Sequence, residues 1–310
     1  MKEENRMNNS DSLATNEAVN FSRCLIYHQE FRDCYFKIRG AHRSYFTNPR
    51  GLMILGEPGV GKSKLARVYR DNCSKPSTDE RTKNTVLIVE VVPSYSLDWF
   101  YTKILDALGD PKPDSGKISS KELRVIQLFK AQEVQLLIFD EIHNLLPGDL
   151  TGAQTRRMAN TLKTLMNCIQ VPIVLLGEER AKGLLLIEKA FESRFKKVVY
   201  LRNMGYSNDI ERQSYIKFLA SISSKIEVPC IALDNDDFAI RMYAASAGNV
   251  REMIQIVTEA IDSMLESERS ITLKTFAFAF EQMSSNPLKL SSNPFSVKVQ
   301  SLYEKLRVTK

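Results

Sequence analysis

The stretch Leu52-Met53-Ile54-Leu55-Gly56-Glu57-Pro58-Gly59-Val60-Gly61-Lys62-Ser63-Lys64 decides how the rest of this chain is read. Four apolar residues predict a short buried strand, residues 56–61 a turn, and Lys62 to Tyr69 a helix. Gly56 to Ser63 fits G-x-x-x-x-G-K-[ST], and the strand before it and the helix after it are the context that pattern needs. Glycines let backbone N–H groups turn inward on an anion, and the helix N-terminus adds positive potential. Lys62 would reach the β- and γ-phosphates of a nucleoside triphosphate, and Ser63 would hold Mg²⁺.

Further along, Leu136-Leu137-Ile138-Phe139-Asp140-Glu141 ends an apolar strand in two adjacent carboxylates. Ligands of open α/β sheets bind beyond the carboxyl ends of the strands. Asp140 would share the Mg²⁺ shell, and Glu141 would polarise a water for in-line transfer of the γ-phosphoryl group. One strand, Thr85 to Val92, separates the two motifs in sequence, as in ATPases that use a catalytic Glu. No Asn/Thr-Lys-x-Asp motif is present to read guanine, which points to ATP.

The rest of the first two-thirds alternates in the same way. Strands are predicted at Thr85 to Val92, Val134 to Phe139, Val171 to Leu176 and Lys197 to Leu201. Helices are predicted at Leu97 to Leu108, Ser119 to Gln132 and Gln154 to Cys168. Continuously apolar strands between helices predict an α/β fold, a five-stranded parallel sheet covered on both faces. After Arg202 the strands stop. Ile210 to Ser221, Asp236 to Ala245, Val250 to Leu265 and Leu273 to Met283 read as a small all-helical domain. Asp234 with Asp237 is the expected cap of the second of these helices and Thr272 of the last. The expected organisation is a disordered tail over residues 1–20, the α/β core over 21–203, the helical domain over 204–285 and a basic tail over 286–310. An amphipathic helix starting near Phe21 would bury Leu25, Phe31 and Phe36.

Three more positions belong to the candidate site. Glu178 follows the fourth strand, where a polar side chain senses a γ-phosphate, although an acid is an odd neighbour for phosphate. Arg194, in Ser193-Arg194-Phe195, precedes the last strand, from where an arginine can reach a neighbouring subunit's site. Arg251, in Gly248-Asn249-Val250-Arg251, begins a helix of the second domain.

Composition excludes several classes. Apolar residues make up 43% and charged residues 26%, as in soluble globular proteins. No apolar run approaches the roughly 20 residues of a membrane span, and the polar N-terminus holds no secretory signal. Five scattered cysteines, with no C-x-x-C pair, argue for reduced thiols in a cytoplasmic protein rather than a zinc site or a disulfide scaffold.

Taken together, the P-loop, the Asp-Glu pair, Ser-Arg-Phe and Gly-Asn-Val-Arg resemble an AAA+ ATPase in order and spacing. Ile138-Phe139-Asp140-Glu141-Ile142-His143-Asn144-Leu145-Leu146 and Val171 to Gly177 look, more narrowly, like the TniB/TnsC-type AAA+ regulators of bacterial transposition. The resemblance covers about residues 21–285. It implies a P-loop AAA+ core with a helical lid, and Mg²⁺-dependent, assembly-stimulated ATP hydrolysis. It also implies assembly with copies of itself as a ring or helical filament on double-stranded DNA in the bacterial nucleoid. The implied partners are a separate DDE-type transposase and a target-selection protein of the TniQ/TnsD type. It implies catalytic roles for Lys62, Glu141 and an arginine finger at Arg194, and nucleotide contacts from Glu178 and Arg251. Family members often carry Thr where Glu178 stands. The chain has no Asp-Asp-Glu constellation of its own and is not expected to cut DNA. Two other classes remain open: an ATP-driven signalling or defence switch, and an origin-binding loader. Against the loader, too few residues follow the lid to bury a winged-helix core.

Charge is compatible with nucleic acid. The chain holds 43 Lys+Arg and 37 Asp+Glu, a net +6, and residues 21–75 alone carry 11 Lys+Arg against 4 Asp+Glu. The resemblance suggests DNA contacts from Lys103, Lys117 and Lys121 after the second strand, and from Arg156, Arg157 and Lys163 after the Asp-Glu strand. Tyr95, Trp99 and Phe100 are better explained by packing than by base stacking.

Overall fold

The computed structural model describes residues 16–22, 26–73, 85–93, 96–146, 153–187, 189–264, 270–283 and 285–306. The chain divides into two compact units, Glu30–Arg202 and, together, Met1–Gln29 with Asn203–Lys310.

Five strands form the sheet of the first unit: β1 (Leu52–Leu55), β2 (Val86–Glu90), β3 (Leu136–Asp140), β4 (Ile173–Gly177) and β5 (Lys197–Tyr200). They lie in the order β2-β3-β4-β1-β5, and every neighbouring pair is parallel. All residues of β1, β3 and β4 are buried, which explains their unbroken apolar sequences. The helices of this unit are α1 (Gln29–Arg43), α2 (Lys62–Cys73), α3 (Leu97–Ala107), α4 (Ile118–Ala131), α5 (Ala153–Ile169), α6 (Gly183–Ile187) and α7 (Lys189–Arg194). Met53, Leu55, Leu137, Phe139, Ile173 and Leu175 project from the central strands into one core with Ile104, Leu105 and Val125 of α3 and α4. Phe100 stacks on Phe139 at 5.4 Å between ring centroids, so it is core, while Trp99 is half-exposed with Lys103 over its ring. Tyr95 lies outside the described residues.

The face of α1 differs from the expected one. Phe31, Cys34 and Ile38 are buried at a spacing of three and four, whereas Phe36 is 51% exposed beneath the Arg39 guanidinium. Position 36 falls two residues after Cys34 and so points away from the buried stripe. Leu25 lies outside the described residues.

The second unit is all helical. Its principal helices are α8 (Asp209–Ser223), α9 (Asp236–Ser246), α10 (Val250–Asp262), α11 (Leu273–Gln282) and α12 (Val299–Leu306). Asn235, not Asp234 or Asp237, caps α9: its side chain accepts the Phe238 N–H, because only the residue just before the first turn reaches those free amides. Thr272 caps α11 in a reciprocal capping box with Thr275.

Both chain ends depart from the expected tails where they are described. Residues 16–22 are helical, Ala18 and Phe21 are buried in the helical core, and the Glu17 carboxylate accepts the Glu227 N–H at 2.8 Å. Residues 285–306 fold onto the same core. Phe295 stacks on Phe276 at 5.6 Å, Leu302 and Tyr303 are buried, and the Arg241 guanidinium donates to Pro294 O (2.6 Å) and Val297 O (2.8 Å). Widely spaced apolar anchors among polar residues carry no helical period long enough to be read from sequence. Residues 1–15 and 307–310 lie outside the described residues.

Candidate functional site

Because the sheet is parallel, β1, β3 and β4 end on one edge, and the loops that follow them meet there. The β1 loop turns through Gly59 (φ 86°) and Gly61 (φ 102°), a left-handed backbone that favours glycine. At Gly56 a Cβ would lie 2.2 Å from Leu201 O, so any larger residue would push β1 off the end of β5. Residues 56–61 thus bring the loop to the first turn of α2, which begins at Lys62. Lys62 is 4% exposed, and its ammonium donates to Gly56 O (2.8 Å) and Glu57 O (2.9 Å). Those carbonyls hold a cation inside the loop. Ser63 is half-buried in the same turn, and Lys64 is exposed.

Asp140 is the last residue of β3 and 4% exposed. Its Oδ1 accepts the Glu141 N–H at 3.0 Å, and among the described residues no basic side chain forms an ion pair with it. Glu141 has a left-handed backbone (φ 56°), a strained conformation of the kind that concentrates at functional sites. Burial, and next the neighbouring Asp140 carboxylate, raise the Glu141 pKa above the ordinary value, with Lys62 opposing. The donor set fits a divalent cation with a triphosphate: a buried carboxylate lacking a basic partner, a hydroxyl on the first helical turn, and a lysine in a glycine loop.

The residue that sequence reasoning passed over is His143. It is buried in the 3₁₀ turn Ile142–Leu145 and stands between the other two acids of the edge. Its Nδ1 lies 3.3 Å from Glu141 Oε2, and its Nε2 lies 3.3 Å from Glu178 Oε1. Glu178 N–H also donates to Nδ1 at 3.3 Å. Burial lowers the His143 pKa, with Glu178 the main opposing influence, so the ring is neutral at pH 7. Nδ1 then accepts and Nε2–H donates to Glu178. Nδ1 accepts the Glu178 N–H, with Glu141 Oε2 beside it on the same side of the ring. The donor atoms of the three residues lie within 4.8 Å of one another. A histidine two places beyond a strand-end carboxylate was the available signal. The turn is held by Asn144, whose side-chain amide donates to Val91 O at 2.9 Å beyond β2.

Lys62, Ser63, Asp140, Glu141 and Glu178 therefore share the edge at the ends of β1, β3 and β4. Arg194 does not. It precedes β5 at the opposite edge, and its guanidinium donates to Asn167 Oδ1. Arg251 belongs to the helical unit and is exposed in the first turn of α10, where Asn249 caps the Arg251 and Glu252 amides.

Residues 26–204 match the family described as bacterial TniB protein. The chain belongs to that family. Among curated proteins no sequence matches it. Solved structures similar to this TniB-family chain include the ORC2 protein of Aeropyrum pernix in its ADP form, with 15% identity and a TM-score of 0.62 over 87% of this chain and 74% of that one. Cdc6p from Pyrobaculum aerophilum is similar at 16% identity and a TM-score of 0.57, over 84% and 69%. Drosophila ORC bound to DNA is similar at 12% and 0.55, over 96% and 79%. At such identities the likeness is one of fold: an AAA+ P-loop core with a helical domain.

Of the six suggested DNA contacts, Lys121 is corrected by the structure. Its side chain is 1% exposed, and the ammonium binds an Asp98 carboxylate oxygen and the Thr102 hydroxyl, each at 2.8 Å. It joins α4 to α3 rather than facing a ligand. Lys103 is half-buried, 3.9 Å from Asp106 Oδ2 and 4.7 Å from the Trp99 ring centroid. Lys117, Arg156 and Arg157 are exposed and Lys163 is half-buried. The described residues hold no helix long and apolar enough to cross a membrane. Cys34, Cys73, Cys168 and Cys230 are free thiols.

Proposed function

We propose that this TniB-family chain is an ATP-dependent regulator of DNA transposition. It assembles with copies of itself on double-stranded DNA while holding MgATP, and it links a target-selection protein to a separate transposase. The observation that carries this is the convergence of the Lys62 loop and the Asp140-Glu141 strand end on one sheet edge, in a chain whose residues 26–204 match the TniB family.

Lys62 leaves its loop carbonyls to pair with the β- and γ-phosphates, and the amides of residues 59–63 donate to the same oxygens. Ser63 and Asp140 would hold Mg²⁺, which supplies charge neutralisation between the phosphates. Glu141 is the general base. As the water oxygen bonds to the γ-phosphorus, Glu141 takes the proton, and the bond to the β–γ bridging oxygen breaks. For that the carboxylate must be ionised and must turn from His143 toward the water. His143 makes Glu178 the positioning partner of Glu141 and answers the oddity of an acid near phosphate: Glu178 binds a histidine. Arg194 reaches the site of a neighbouring copy, and Arg251 contacts the nucleotide from the lid.

Binding of the full chain to random-sequence duplex DNA, with a non-hydrolysable ATP analogue, with ADP or with neither, tests the reading. Salt-dependent binding with the ATP analogue alone is expected. Tight binding without nucleotide, or none at all, would overturn it. The fold likeness to the ORC and Cdc6 proteins supports a second reading, an origin-type loader. Capture of a transposase, but not of a replicative helicase, by the ATP-loaded chain separates the two.

A further inference from the structure

The opposite edge of the sheet carries a feature that the nucleotide chemistry leaves unused. A cleft of 840 Å³ opens there, lined by Lys37, Arg43, Arg50, Arg194, Lys196 and Lys197. Among the described residues no acidic side chain lines it. Two chain segments distant in sequence build it, and both are pinned. Gly51 N–H donates to Arg194 O at 3.0 Å, and the Phe195 ring lies so close over Gly51 that a Cβ there would sit 2.5 Å from the ring. Ser44 donates to Ala41 O at 2.6 Å and accepts the Arg50 N–H at 3.0 Å, which fixes the turn between α1 and β1. The cleft is a formed part of the fold rather than a chance gathering of surface side chains.

Lys37, Arg43, Arg50, Lys196 and Lys197 are all exposed, and among the described residues none of them has an ion-pair partner. Some cations elsewhere in this unit are matched, as in Lys121 with Asp98 and Arg124 with Asp110. Like charges held together without counterions repel one another, and a bound polyanion relieves that. The remaining lining is mixed, with Ser44, Thr47 and Asn48 beside the cations and Ala41, Pro49 and Leu52 as small apolar surfaces. Arginine forks, lysines, hydroxyls and amides are the side chains that contact the phosphodiester backbone. An acidic protein segment would also call for apolar anchoring pockets, and this lining offers few.

We infer that this cleft binds the sugar–phosphate backbone of a nucleic acid, independently of base sequence. The inference rests on the DNA-binding reading above and moves the principal contacts from the Lys103 and Arg156 surfaces to the edge opposite the nucleotide. Arg194 lines the cleft too, but its finger role keeps it out of the test.

The test uses the full chain with Arg43, Arg50, Lys196 and Lys197 all changed to Ala. Affinity for a random-sequence duplex, with the ATP analogue present, is followed against salt. Each lost phosphate contact flattens the slope of log K against log salt by about 0.9, so a flattening of up to about 3.6 units and at least about a tenfold loss of affinity are expected. ATP binding and DNA-independent ATPase activity stay at wild-type values, which shows that the variant is folded. Unchanged slope and affinity in the variant, with the wild type binding DNA, would overturn the cleft while leaving the DNA reading intact. A wild type that binds no DNA would overturn both. Loss of self-association with DNA affinity kept would make the cleft a contact between copies, and displacement of duplex by polyglutamate but not by heparin would make it a peptide site. Either result overturns the inference.

Discussion

The two edges of one parallel sheet carry opposite kinds of polar chemistry. Where the strands end, Lys62, Asp140, Glu141, His143 and Glu178 are buried or half-buried and bound to one another or to the backbone. Where β1 and β5 begin, about 13 Å away along the strands, Lys37, Arg43, Arg50, Lys196 and Lys197 stand exposed, without ion-pair partners among the described residues. The first set is closed on itself and must rearrange to admit a ligand: Lys62 must leave two carbonyls, and Glu141 must leave His143. The second set needs no rearrangement and only awaits an anion. A site with internal partners can be switched, because ligand and protein compete for the same bonds. A site of unmatched cations attracts from a distance and is set by ionic strength.

The largest effect should come from breaking the closed edge at its cation. Lys62→Ala removes the buried cation placed to pair with the phosphates, and nucleotide affinity should fall at least about a hundredfold. DNA assembly should be lost with it. Calorimetric titration with an ATP analogue reads the first effect and a gel shift the second. Glu141→Gln should act differently. Removing a general base costs about 10²- to 10⁴-fold in turnover, while nucleotide binding persists and the DNA complexes live longer. If both variants assembled on duplex DNA as the wild type does, the closed edge would not be a switch.

A smaller effect is expected at the bridge. His143→Ala leaves Lys62, Ser63 and Asp140 untouched and releases Glu141 from Glu178. Misplacing a base by about 1 Å can cost up to about 10²-fold, so kcat should fall about tenfold or more while KM for ATP changes little. His143→Gln, which can bond to one carboxylate, should recover part of that. An equal loss in kcat and in ATP affinity would mean that His143 merely supports the fold. An unchanged kcat would remove it from the mechanism.

The contrast between the edges explains what could be read without a structure. Leu52 to Leu55 and Leu136 to Asp140 announce themselves because strands buried on both faces need continuous apolar residues. Gly59, Gly61 and Lys62 do so because few loops require that backbone and that charge together. These are local constraints. His143 has its meaning from Glu178, 35 positions away, and the cleft from segments near residues 44 and 196 that only the sheet order joins. The excess of base over acid in residues 21–75 is visible in sequence, but the face it forms is not. Phe295 is of the same kind: it is one aromatic ring in a polar stretch, and Phe276 sets its place in the core.

Lys121 provides the finest test of the comparison, because it is a cation of neither edge. The family resemblance groups it with Lys103 and Lys117 as a DNA contact, yet it lies between α3 and α4 with Asp98 and Thr102 as partners. Lys121→Met keeps most of the buried stem and deletes the charge. Asp98 is half-exposed and can be hydrated once its partner is gone, so the cost should stay at about 1–3 kcal/mol, below that of breaking a fully buried pair. Denaturant unfolding measures it. The salt dependence of DNA binding should be unchanged, since a side chain 1% exposed releases no counterion from a phosphate. A flattened slope in Lys121→Met, with stability intact, would return the DNA contacts to the α3–α4 surface and take them from the cleft.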